Sequence, residues 1–413
     1  MLDIKYIREN AEEVRVALAG RKDNAPLDEI LALDAERRDK LALLEEKRRL
    51  RKELARTTQQ EAADEGRLLR DAIKTLEDRL REIDEQLGEY LLQVPNIPQS
   101  SVPRGTSEED NIVVRSWGTP QSPNFPVKPH WELGEQLNII DFERGVKLSG
   151  TRFYVLKGLG ARLQRAVIAL MLELHTKEAN YTEVYLPYMV KREIMTSSGN
   201  LPKFADNLYH EDTDDLWFVP TAEVPLTGLH AGEILPAGSL PLHYAAYTAC
   251  FRREKMSAGK DTRGIKRGHQ FDKVELYKLT EPESSNQELE AMVADVERVL
   301  QRLELPYRLK ALCTADLGFA SSKTYDIEVW APGCGEWLEV SSCSNCLDFQ
   351  ARRAGIRYRP AEGAKAEYVH TLNGSGLALP RIMIAIMENY QQGNGTINIP
   401  TALQPFMGAA AIS

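Results

Sequence analysis

A run of apolar residues near the N-terminus restricts the fold more than any other feature of the chain. Leu69, Ile73, Leu76, Leu80, Ile83, Leu87, Tyr90 and Val94 recur at alternating intervals of four and three. The mean step of 3.5 residues is the seam of a supercoiled helix pair. No proline interrupts the chain from Leu27 to Val94. Leu27, Ile30, Leu41 and Leu44 carry a looser version of the pattern, and Thr57 to Gly66 is polar and poor in apolar residues. Two helices and one turn make an antiparallel coiled-coil hairpin. Arms of about 30 residues reach ~45 Å at the helical rise. Ahead of it, Ile4, Ile7, Ala11, Val14 and Leu18 follow a helical spacing that Gly20 closes.

Charge is uneven along this hairpin. Lys47 to Lys52 reads KRRLRK, close to the expected tip. A solvated helix face is one reading, and an arm that meets phosphates is the other. The position near a lever's tip favours the arm, with Arg48, Arg49, Arg51 and Lys52 as its contacts. The net charge of −9 argues against a chain coated with basic residues. It leaves room for a local basic patch. No apolar stretch is long enough for a membrane span, and residues 1 to 10 lack a signal-peptide core. Five cysteines in 413 residues give no disulfide framework, so a cytoplasmic location is expected.

Pro95, Pro98, Pro103 and Gly105 end the helical region. The expected division is an N-terminal helical-hairpin domain over 1–105 and a second domain over 106–413. The second part reads as mixed helix and strand. Ala161 to Ala179 and Gln287 to Leu303 have amphipathic spacing; Thr182 to Val190, Lys273 to Leu279 and Tyr325 to Val329 read as strands. Strands and helices do not alternate regularly, so the class is α+β rather than a doubly wound parallel sheet. There is no GxxxxGK[ST] loop and no GxGxxG after a strand.

The chemistry concentrates between Phe251 and Glu275. Phe251-Arg252-Arg253-Glu254 is followed by a Gly- and charge-rich loop, Lys255 to Lys266, and then by Arg267-Gly268-His269-Gln270-Phe271-Asp272-Lys273-Val274-Glu275. The arginines at both ends can fork onto phosphates. Phe271 offers a flat face to a base. Glu275 on a strand needs a partner if buried. Short triplets of this kind are common, but the whole segment is long. It closely resembles motif 2 of the class II aminoacyl-tRNA synthetases, in the seryl version. Leu201 to Phe204 and Val219 to Leu226 (VPTAEVPL) resemble that family's serine-binding region. Trp337 to Arg353 resembles a further segment of the family, and Thr371 to Gln391 resembles motif 3. Tyr181 to Val190, with Pro187, resembles motif 1.

The resemblance implies a catalytic domain built on an antiparallel sheet flanked by helices. It also implies serine activation by ATP, followed by transfer to tRNA. Carried over by position, Arg252 bridges the serine carboxylate and the α-phosphate, and Arg253 and Glu254 sit at the nucleotide. Arg267 meets the outer phosphates and Phe271 stacks on adenine. Arg381 covers the other face or the γ-phosphate; Arg252 and Arg381 are thus the catalytic pair. Glu339, Val340, Ser341 and Ser342 lie along the ATP, with Glu339 and Ser342 on its Mg2+. Thr221, Ala222 and Glu223 receive the serine ammonium, and Glu275 and Ser375 bond its hydroxyl. The hairpin embraces serine tRNA, and two copies form a homodimer through motif 1. The family commonly has glycine before the motif 3 arginine; here Pro380 stands there, which a first helical turn accepts.

Other readings stay open at this level. They are a paralogue that has lost tRNA charging, a structural coiled-coil protein, and a class II enzyme for threonine or proline. The intact set Arg252, Glu254, Phe271, Glu275, Glu339 and Arg381, and the TAE segment with the hairpin, weigh against all three. Cys343 and Cys346 form a CxxC without a second pair, which favours structural cysteines over a metal site. His269 reads as a packing or hydrogen-bonding residue rather than a base.

Overall fold

The computed structural model describes all residues except 56–60, 122 and 256–262, together with the side chains of 61–63. Most of the expected hairpin turn and most of the loop after Lys255 lie outside the described residues. The chain divides into two compact units, Met1–Ile97 and Pro98–Ser413. The expected boundary was residue 105. Residues 98–105 bond within the second unit, through Gln99 N–H to Ser322 O and Thr314 N–H to Pro103 O, at 3.0 and 2.9 Å.

The first unit is helical: α1 (Ile4–Glu9), α2 (Ala11–Gly20), α3 (Leu27–Leu54) and α4 (Glu61–Leu91). The single expected helix before Gly20 is broken at Asn10, which leaves helical dihedrals (φ −126°, ψ 34°) and donates its side-chain amide to Tyr6 O. Gly66 stands inside α4 rather than in the turn. One glycine costs about 1 kcal/mol, which a 31-residue helix absorbs. The heptad seam is buried where expected, at Ile73, Leu80, Ile83, Leu87 and Val94. Leu44 packs against Ile73 and Leu80. Ion pairs Arg79–Glu36 at 2.9 Å and Arg48–Glu77 at 2.7 Å cross between α3 and α4, and their numbering shows the helices run antiparallel.

The second unit is built on an eight-stranded sheet. In chain order its elements are β1 (Ile112–Trp117), α5 (His130–Gln136), α6 (Gly158–Lys177), β2 (Thr182–Glu183), α7 (Glu223–Gly228), β3 (Leu242–Phe251), β4 (Gln270–Thr280) and α8 (Ser285–Arg302). There follow β5 (Tyr307–Ala311), β6 (Lys323–Ala331), β7 (Glu336–Asn345), α9 (Phe349–Ala354), β8 (His370–Ala378) and α10 (Leu379–Asn389). The strand order is β1-β5-β6-β7-β8-β4-β3-β2. Every pair is antiparallel except β2 with β3. Thr182 to Val190 is not one strand: pairing stops at Glu183, and Pro187, which lacks a donor, lies in the unpaired stretch before Met189.

Strand alternation sorts the central residues onto two faces. On β4, Val274 and Leu276 join the core formed with α6, α8 and α10. Tyr277 and Leu279 belong to a second cluster, with Ala222, Leu226 and Ala351. Phe271, Lys273 and Glu275 share the parity of that second face. In β8, Gly376 is an extra residue: Leu377 pairs with Val274, while Ser375 pairs with Glu275. This bulge keeps Leu377 in the core and turns Ser375 toward the opposite face.

Candidate active site

The second face of the sheet carries a cleft. Its walls include Arg252, Glu254, Lys266, Arg267, Phe271, Lys273, Glu339, Ser375, Pro380 and Arg381. A second hollow, lined by Asn200, Phe204, Pro220, Thr221 and Glu223, shares Arg252, Glu254 and Arg267 with the first. Residues more than a hundred positions apart therefore meet around one continuous surface.

At one end sit two carboxylates, one fully buried and one partly exposed to the second hollow. Glu275 is 1% exposed and forms an ion pair with Lys273; it also accepts from Thr221 Oγ1 at 3.2 Å. Glu223 Oε1 accepts from Gln350 Nε2 at 2.6 Å and Asn373 Nδ2 at 3.2 Å. Burial first, and then the Glu275 carboxylate, push Glu223 up to about 7. Gln350 is fixed in turn: its Oε1 accepts from Thr371 Oγ1 at 2.7 Å and Tyr277 Oη at 3.3 Å. The pocket thus offers two carboxylates and one neutralising ammonium. It is suited to a small cation that also brings a hydroxyl.

At the other end the groups are mostly basic. The Arg252 guanidinium lies 5.1 Å from the Phe271 ring centre and donates to Pro220 O at 3.1 Å. Arg267 approaches Glu254 at 3.9 Å, and Glu254 holds a left-handed φ of 51°, a rare conformation for a side chain of this kind. α10 starts at Leu379 with Pro380 in its first turn, as expected. Arg381 follows, pairing with Glu339 at 3.2 Å and donating to Glu339 O at 2.7 Å. A one-residue bulge in β7 pairs Glu339 with Glu328 and Ser342 with Asp326. Glu339, Ser342 and Asp326 therefore face the same way. Asp326 Oδ1 is buried with no hydrogen-bond partner among the described residues.

Comparisons with known proteins identify the family. Residues 1–98 match the seryl-tRNA synthetase N-terminal domain. Residues 204–390 match the tRNA synthetase class II core domain shared by the G, H, P, S and T enzymes. A serine–tRNA ligase of Dehalococcoides mccartyi is 62% identical over the full length of both chains. The chain belongs to the seryl-tRNA synthetase family. The crystal structure of the seryl-tRNA synthetase from Pyrococcus horikoshii, complexed with ATP, superposes with a TM-score of 0.95 at 39% identity, covering 100% of this chain and 99% of that one. The cytoplasmic serine–tRNA ligase of Naegleria fowleri, in complex with AMP, gives 0.90 at 29% identity, with the same coverage.

Some residues that the seryl-tRNA synthetase resemblance assigned to ATP or to serine do not line either hollow. Arg253 donates to the backbone of Leu208, a wall residue of the second hollow, at 2.8 Å and lies 4.5 Å from the Tyr209 ring centre. Val340 packs into the helix-side core. Ser341 is buried and donates to Ser375 O at 2.6 Å, so it holds the β7–β8 seam rather than lining the cleft. Ala222 is fully buried in the second cluster. Phe271 already has one arginine, Arg252, over its ring, whereas Arg381 turns to Glu339. Sequence reasoning missed Lys266, Lys273 and Gln350. The first two were visible as basic residues within the Phe251 to Glu275 segment; Lys273 also shares strand parity with Phe271 and Glu275.

His269 hydrogen-bonds Tyr209 Oη at 3.0 Å and meets Phe153 edge-on, as a packing residue would. Cys343 and Cys346 form no disulfide and are fully buried, and Cys346 Sγ accepts from Asn373 Nδ2 at 3.4 Å. Burial pushes the Cys343 thiol up to about 12.

Proposed function

We propose that the chain joins serine to tRNA in two steps at this cleft. The serine carboxylate attacks the α-phosphorus of ATP; a new P–O bond forms, the α–β bridge breaks, and pyrophosphate leaves. The terminal 3′-hydroxyl of the tRNA then attacks the seryl carbonyl, and AMP leaves. No side chain forms a covalent intermediate. The protein supplies placement and charge.

One observation carries this reading: Arg252, Arg267, Phe271, Glu339, Ser375 and Arg381, from three strands, a helix and two loop ends, line one cleft beside buried Glu275. Arg252 is the bridge between the two halves, since it lines both hollows. It would hold the serine carboxylate against the α-phosphate. Lys266, Arg267 and Arg381 would take the outer phosphates, and Phe271 the adenine. Thr221 and Glu223 would accept the serine ammonium. Glu275, held by Lys273, and Ser375 would bond the hydroxyl. Alanine would leave those polar groups unpaired, which is the physical basis for rejecting it.

Mg2+ fits the group on β6 and β7. Glu339, Ser342 and the unpartnered Asp326 Oδ1 present oxygen donors on one face, the donor type a hard divalent cation takes. When bound, the ion would neutralise the ATP phosphates.

The tRNA would lie on the hairpin through Arg48, Arg49, Arg51 and Lys52, by shape and backbone charge. The chain would act as a homodimer through the segment around Pro187. Tyr185 there is 86% exposed. No described helix is long and apolar enough to cross a membrane.

ATP–pyrophosphate exchange across the twenty amino acids tests the reading. Exchange stimulated by serine alone is the expected result; stimulation by threonine or proline, or none at all, refutes it.

A further inference from the structure

The segment that brings Lys266 and Arg267 to the cleft is anchored from behind by a buried polar relay. His130, the first residue of α5, and Glu388, in the last turn of α10, are both fully buried. Glu388 Oε1 accepts from His130 N–H at 2.9 Å and lies 3.0 Å from the ring Nδ1. Its Oε2 accepts from the backbone of Gly333 and Cys334, at 2.9 and 3.0 Å, in the turn joining β6 and β7. The Cys334 thiol donates to Oε1 at 3.1 Å. Across the ring, Nε2 lies 3.2 Å from the backbone N–H of Ile265.

These contacts fix the tautomer. A backbone N–H can only donate, so Nε2 is the bare, accepting nitrogen. Nδ1 then carries the proton and donates to Glu388. The approach is close: a Cβ at Gly264, where φ is +71°, would overlap His130 Nε2. Ile265 is fully buried, the Arg263 guanidinium sits 4.8 Å from the Trp131 ring centre, and Lys266 pairs with Glu336 at 2.5 Å. His130, Cys334 and Glu388 also bring their donor atoms within 4.8 Å of one another, as a metal trio could. The protonated Nδ1 and the hydrogen bonds already filling Glu388 argue against that use.

We propose that His130 and Glu388 are positioning residues for the nucleotide. They tie Ile265, and with it Lys266 and Arg267, to the helix that carries Arg381 two turns earlier. The relay thereby sets the spacing of cationic groups at the phosphate end of the cleft. This rests on reading the cleft as the ATP site.

Two amide variants separate the two ends of the ring. His130→Asn keeps a donor toward Glu388 but is too short to reach Ile265. His130→Gln puts a carbonyl oxygen near the place of Nε2. In serine-dependent pyrophosphate exchange, His130→Asn should raise the ATP KM about tenfold while the serine KM stays within about twofold. His130→Gln should return the ATP KM to within about threefold of the unaltered chain. Deuterium exchange at the Ile265 amide should speed up about tenfold in the Asn variant alone, with β4 amides unchanged. Equal rises in both KM values, a Gln variant no better than Asn, or unaltered Ile265 protection in the Asn variant would each overturn the relay. So would stoichiometric zinc bound by the purified chain, because Nδ1 would then be a ligand. If the unaltered chain shows no exchange with serine, the functional reading fails, and Ile265 protection alone decides the anchor.

Discussion

Glu275 and Glu223 are two carboxylates in one pocket, and they differ in what offsets their burial. Glu275 has Lys273 as an ion-pair partner; Glu223 accepts from two amide groups and feels the Lys273 and Arg252 charges without pairing to either among the described residues. Lys273→Met leaves Glu275 buried and uncompensated. It should cost about 3–5 kcal/mol, read as a fall in the urea midpoint. Glu223, pushed up to about 7, holds a proton that the unfolded chain has already released. Its contribution to stability is therefore full below the ordinary carboxylate value and is lost as pH rises through about 7. Glu223→Gln should flatten the change in unfolding free energy between pH 5 and pH 8. An arriving ammonium favours the ionised carboxylate, so serine affinity should weaken as pH falls through about 7 in the unaltered chain and less so in the variant. At the selectivity end, Ser375→Ala should lower kcat/KM for serine by roughly tenfold or more, equivalent to ~1.4 kcal/mol, and leave alanine nearly unchanged. Steady-state exchange with both amino acids measures it.

Elements differ in how much of their stability is local. In α4 the seam residues recur at fixed steps, so the helix pair is legible in the residue order alone. Ile83→Ala should remove about 2–5 kcal/mol, seen as loss of helical signal on heating. Replacing Arg48, Arg49, Arg51 and Lys52 by Ala should weaken tRNA charging and flatten its salt dependence, while serine-dependent pyrophosphate exchange survives. Arg48 also bonds Glu77 at 2.7 Å, an exposed pair whose loss should cost little stability. The β strands were less readable. Thr182 to Val190 has strand composition, yet only Thr182–Glu183 pairs with β3. Pairing depends on a partner distant in sequence, and no local pattern reports where that partner ends. The bulges at Gly376 and Val340 are of the same kind: each shifts parity by one residue, and neither has a local signature.

At the scale of the whole molecule, catalysis would depend on elements far apart in the chain meeting on one face of a sheet. Tyr185, within the motif 1 segment, is an exposed aromatic side chain. Light scattering should report twice the chain mass, and Tyr185→Asp should shift the population toward the single chain. The sequence by itself determined the helical hairpin, the α+β class and the chemical kinds of group required, because helix periodicity and motif spacing act over short distances. Only the tertiary structure decided which of those groups share the cleft. Arg253 stands next to Arg252 in the chain and points to Leu208; Lys273 was passed over and neutralises Glu275. Adjacent strand residues leave by opposite faces, and a bulge exchanges the faces. Membership of the site is therefore fixed by register and packing, which distant strands settle together.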